Sequence, residues 1–175
     1  MRYFRLQEDE RAEAGIIMKS VYGKPGIKEA INGNLSLLEE LTVAKANMFK
    51  GSQNTVLLSR QIFMYKEIVR EVFDMFLPDV TYKNFCIINI ENERSYTYFT
   101  APMLKIASAL SEKSIKPYHH NGKIYLDKRA LQDLDEPDIF YLKEHNIGVI
   151  VSLAVAESLL RRNIPRIRLT HLKVL

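Results

Sequence analysis

Hydrophobic residues recur at Tyr65, Ile68, Val69, Val72, Phe73 and Phe76, spaced i, i+3, i+4, i+7, i+8 and i+11. That spacing puts them on one helical face and predicts a helix over about 65–77, closed by Pro78. The preceding stretch TVLLSRQIFM reads as a strand, or as an extension of the helix capped by Ser59. A second helix is predicted over about 153–162, with Ser152 as its cap and Leu153, Ala156, Leu159 and Leu160 as its buried stripe. Arg161 and Arg162 complement the negative end of its dipole, and Asn163 before Ile164-Pro165 stops it. Period-two and β-branched runs predict strands at 2–6, in YKNFCIINI and SYTYFT around the turn 91–94, at 139–143 and 147–151, and at 166–174. Asn121-Gly122 between YHH and KIYLD predicts a second hairpin, because both residues tolerate positive φ. Residues 7–34 are polar and broken by glycines, so they read as a surface excursion. Ser36 with Glu39 three residues later suggests a capping box before a short helix over about 36–46. Hairpins dominate and helices are segregated. The expected class is α+β, a mainly antiparallel sheet packed by two principal helices, about 65–77 and 153–162.

The 175 residues contain no repeat and no Pro/Gly/Ser-rich linker, so one domain over 1–175 is expected. No apolar run approaches the ~18 residues of a membrane span, and the acidic start MRYFRLQEDE does not look like a secretory signal, which together predict a cytoplasmic protein without membrane contact. Cys86 is the only cysteine; flanked by Phe85 and Ile87 in a predicted strand, it reads as a small buried hydrophobe. The net charge of +4 comes from the C-terminal end, where residues 157–175 hold Arg161, Arg162, Arg166, Arg168 and Lys173 against Glu157 alone. A nucleic-acid-binding module using that basic surface is the second functional reading, although a phosphate-tracking groove normally draws cations from several elements.

Candidate chemistry is sparse. His119 and His120 are adjacent, and neighbouring strand residues point to opposite faces, so they do not converge on a metal; His145 and His171 stand alone. There is no GxSxG, Walker, GxGxxG or CxxC pattern, and Ser111-Glu112-Lys113-Ser114 lacks the SxxK order. No cofactor, metal or catalytic residue is expected. An enzyme drawing an acid or base from His119, His120 or His145 is the third reading, without a paired nucleophile to support it. The densest single-sign run is Asp133, Asp135, Glu136 and Asp138 in LQDLDEPD, which lacks the glycine and terminal Glu of a calcium loop. It reads as an acidic turn and a candidate partner-binding patch.

The segments ALSEKS (109–114), KIYLD (123–127), IFYLKEHNIGVIVS (139–152) and VAESLLRRNIPRIRL (155–169), with YFRLQEDE (3–10), resemble the small bacterial immunity proteins of polymorphic toxin systems. AESLLRR (156–162) is the most specific piece. The chain departs from the family's pattern at Ala154, where Asp is common, and at Asn163, where Gly is common. The resemblance implies a non-catalytic inhibitor that binds and neutralises a cognate protein toxin.

Overall fold

The structure is a computed structural model that describes residues 1–9, 16–18, 27–31, 34–48, 55–58, 62–77, 79–101, 104–106, 109–115, 123–142 and 149–175. Along the chain run β1 (Tyr3–Glu8), β2 (Ile16–Met18), α1 (Ile27–Ile31), β3 (Leu41–Met48), β4 (Leu57–Leu58), β5 (Met64–Tyr65), α2 (Glu67–Phe73), β6 (Lys83–Asn89) and β7 (Ser95–Thr100). They continue as β8 (Leu104–Ile106), β9 (Tyr125–Leu126), α3 (Lys128–Gln132), β10 (Ile139–Leu142), β11 (Val149–Ser152), α4 (Leu153–Arg161) and β12 (Ile167–Val174). The fold is sheet-rich and of the α+β type, with strands in two six-stranded sheets ordered β8-β10-β11-β1-β12-β9 and β2-β3-β6-β7-β5-β4. Among the described residues no helix is long and apolar enough to cross a membrane.

Contacts divide the chain into two compact units, one of residues 1–7, 103–163 and 168–175, the other of 8–102 and 164–167. In the first unit β1 lies antiparallel to β11, and β10 pairs antiparallel with β11. The hairpin expected from 139–143 and 147–151 is present; its turn, 144–146, lies outside the described residues. The run Val149, Ile150, Val151 is fully buried, as a strand between two others requires. Its core joins Tyr3, Ala109, Leu126, Leu131, Phe140, Leu142, Ile150 and Leu172. Helix α4 starts where the sequence puts it, with the Ser152 hydroxyl accepting from the Val155 N–H at 3.4 Å. Asn163 has φ 49°, the left-handed conformation of a helix stop. The buried stripe is rotated from the expected one: Val155, Ala156 and Leu159 face inward, while Leu160 is 60% exposed. The hairpin expected at Asn121-Gly122 has its turn and the YHH arm outside the described residues; Ile115 and Lys123 exchange two backbone hydrogen bonds on either side.

In the second unit β6 and β7 form the expected hairpin, with Phe85 opposite Tyr98 and Ile87 opposite Tyr96. The core gathers Ile27, Ala30, Leu38, Ala44, Ala46, Met48, Met64, Phe85, Ile87 and Tyr98, among others. Several expectations are overturned here. The helix expected over 36–46 is the strand β3, whose residues alternate between exposed and buried with Thr42, Ala44, Ala46 and Met48 inward. Ser36 is not a helix cap; its N–H and hydroxyl both donate to the Asn34 side chain. The excursion over 7–34 contains β2, paired antiparallel with β3, and α1, whose Ile27 and Ala30 are buried. The helix expected over 65–77 is shorter: Tyr65 lies in β5 opposite Phe99, Lys66 is extended with its N–H on the Val56 carbonyl at 2.9 Å, and turns follow Phe73. Of TVLLSRQIFM, Leu57, Leu58 and Met64 lie in strands, β4 against β5. Cys86 is only half-buried, because it points to the face opposite Phe85 and Ile87. The sheets are also less uniformly antiparallel than expected: β8 runs parallel to β10, β9 to β12 and β3 to β6.

Candidate functional site

The acidic run 133–138 follows α3, which Asp127 caps by accepting the Ala130 N–H at 2.9 Å. Asp133 caps the helix at its other end. The chain then reverses: the Asp135 N–H donates to the Gln132 carbonyl at 3.1 Å and the Glu136 N–H to the Leu131 carbonyl at 2.9 Å. Reversal requires left-handed backbone at two successive non-glycine residues, Asp135 (φ 55°) and Glu136 (φ 52°). Such conformations cost about 1 kcal/mol or more each and persist where surrounding bonds hold them. Those bonds lie on both sides of the turn. Beyond Pro137 the Asp138 carboxylate accepts from the Ser152 hydroxyl, and its carbonyl accepts the Ser152 N–H at 2.8 Å.

The four carboxylates are thus not equivalent. Asp133 and Asp135 are exposed, Glu136 is half-buried, and Asp138 ties the turn to the start of α4. Glu136 lines a cavity of about 190 Å³ together with Met1, Tyr3, Lys128, Leu131 and Val174, all within the first unit. Tyr3 is fully buried, edge-on to Phe140 at 5.5 Å, and its hydroxyl finds no hydrogen-bond partner among the described residues. Burial first, and then the charges of Glu136 and Asp138, push its phenol above the ordinary value. No ion pair engages Glu136 or Lys128 among the described residues. The sequence singled out Glu136 but not the pocket, whose walls come from residues 1–3, α3, the acidic turn and β12. No local pattern joins segments so far apart.

The alternative basic surface is divided. Arg161 and Arg162 are exposed; Arg161 pairs with Glu157 at 3.6 Å and Arg162 donates to the Ser158 carbonyl at 3.4 Å. Arg168 is exposed on β12, while Arg166, at φ 59°, belongs to the short segment of the second unit, where its carbonyl accepts the Asp9 N–H at 3.0 Å. His171 is exposed and meets Phe4 edge-on at 5.4 Å. His119, His120 and His145 lie outside the described residues. Among the described residues no group of three or more His, Cys, Asp or Glu is placed to hold a metal ion.

The second unit carries a cation-aromatic cluster that the sequence did not suggest. The Arg70 guanidinium lies 4.8 Å from the Tyr82 ring and 4.7 Å from the Phe99 ring. Lys66 stands over Tyr96 and Tyr98 at 5.4 and 5.5 Å, and burial pushes its ammonium below the ordinary value. Arg70 is also braced by Glu67 at 3.4 Å and Asp74 at 3.7 Å, and the Tyr82 hydroxyl donates to Asp74. These cation-aromatic contacts and ion pairs hold the side chains against one another, so the cluster's chemistry is that of a brace between α2 and β7. No family model matches the chain, and no curated protein matches it at a significant level.

Proposed function

We propose that the chain is a cytoplasmic, non-catalytic immunity protein that binds and neutralises a cognate protein toxin. The observation that carries this reading is the acidic turn. Asp133 and Asp135 project from a backbone already fixed at both ends, in the turn whose Glu136 lines a cavity and has no ion partner among the described residues. A pre-ordered surface loses little conformational entropy when a partner docks, and its charge speeds encounter with a basic surface. The resemblance to immunity proteins agrees with this. Its segments, far apart in the chain, supply β1, β10, β11, α4 and β12, which associate in one sheet and the helix that follows it.

Co-expression with the product of the adjacent gene tests the proposal. The expected result is a stoichiometric complex that survives size-exclusion chromatography and abolishes the partner's toxicity. Absence of a complex, with the toxicity unrelieved, refutes it.

A further inference from the structure

We propose that the Tyr3–Glu136 cavity receives a single arginine side chain of the partner protein. The inference rests on reading the chain as a toxin-binding protein and adds the chemistry of the group that is bound. Size comes first. At about 190 Å³ the cavity is smaller than the roughly 300–1,000 Å³ of sites that enclose a whole small molecule, so it suits one inserted side chain.

The lining then selects among side chains. Leu131, Val174 and Met1 offer apolar wall for a methylene stem. Glu136 offers a carboxylate with no ion partner among the described residues, and Tyr3, whose buried hydroxyl has no hydrogen-bond partner among them, lines the same cavity. A guanidinium supplies N–H donors in a planar fork, enough for the carboxylate and the phenol oxygen together. An apolar side chain would leave both oxygens unsatisfied, and burying them so is costly. Asp133 and Asp135, exposed in the same turn as Glu136, add negative potential, while the exposed Lys128 ammonium in the lining opposes it. Lys128 is an unfavourable side chain of the lining, where Met1 adds its α-ammonium, and a side chain can be replaced, which makes Lys128 diagnostic: removing it must strengthen binding while removing the Glu136 charge weakens it. A role confined to pocket shape predicts no such opposite pair.

The test uses the full chain and the probe N-acetyl-arginine methylamide, titrated by NMR with the norleucine analogue as the apolar control. The expected result is saturable binding with resonance shifts at Tyr3, weakened roughly tenfold by Glu136→Gln and strengthened a few-fold by Lys128→Met. Tyr3→Phe, which keeps the ring and its packing, weakens binding a few-fold. Absence of saturation, equal binding of the norleucine analogue, or indifference to Glu136→Gln overturns the proposal. The same variants measured in the complex separate this inference from the one it rests on. A toxin complex that forms but is insensitive to Glu136→Gln and Tyr3→Phe removes the arginine pocket and leaves the immunity reading standing. Arginine binding without any toxin complex supports the pocket's chemistry and removes the immunity reading.

Discussion

Tyr3 and Tyr98 are both fully buried and differ in one hydrogen bond. The Tyr98 hydroxyl donates to the Thr55 carbonyl at 2.8 Å, whereas that of Tyr3 has no partner among the described residues. Tyr98→Phe should therefore cost about 1 kcal/mol of unfolding free energy, because it strands a buried carbonyl, while Tyr3→Phe should cost nothing or stabilise slightly. Urea denaturation of the two variants checks the contrast. Both phenols are raised above their ordinary value of 10.0, first by burial and then by nearby carboxylates such as Glu8 at Tyr98. A raised acid binds its proton more tightly in the folded state, so its contribution is fully present below about pH 10 and is lost as the pH rises through the folded value. Unfolding free energy should hold steady to about pH 10 and fall above it, and the fall should be smaller in Tyr98→Phe. Denaturation midpoints across that range, followed with phenolate absorbance, measure this.

Residues act here through the elements they join, and Ser152 joins two. Its hydroxyl caps α4 and donates to Asp138, so Ser152→Ala should destabilise the first unit by about 1–2 kcal/mol. Because Asp138 shares that bond, a double-mutant cycle of Ser152→Ala with Asp138→Ala should show a coupling of about 1 kcal/mol, and additive losses would contradict the pairing. At the other end of α4, Asn163 holds φ 49°. Asn163→Ala should cost about 1 kcal/mol and Asn163→Gly nearly nothing, since only Ala adds a Cβ penalty without a compensating polar contact. Thermal melts of the pair measure the difference. The same level explains the misread strand β3. Its inward positions are Thr42, Ala44, Ala46 and Met48, mostly small and weakly apolar, while the more hydrophobic Leu41 and Val43 lie exposed at 53% and 41%. Hydrophobicity thus marks the wrong face, and only pairing with β6 and β2 makes the segment a strand.

For the whole molecule, the division of labour among the carboxylates changes how docking must be tested. Neutralising Asp133, Asp135, Glu136 and Asp138 together would also break the anchor to Ser152, so a loss of binding would mix folding with contact. The informative variant changes Asp133 and Asp135 to Asn and Glu136 to Gln. It should slow association with the toxin about tenfold and flatten its salt dependence with little change in stability, as stopped-flow measurements over a range of ionic strength would show. The sequence by itself determined what depends on neighbours along the chain: the Ser152 cap and Asn163 stop of α4, the β6–β7 hairpin, the β10–β11 pair, and the gathering of acidic charge at 133–138. These follow from periodicity, capping chemistry and turn residues, all of which act within a few positions. Only the tertiary structure decided the two sheets and their parallel pairings, the shortening of α2 by the demand of β5 for Tyr65, and the different fates of four similar carboxylates. It alone brought Tyr3 and Glu136 to one cavity across more than a hundred residues of chain. Burial and register are set by what arrives from elsewhere in the sequence, and no local pattern carries that information.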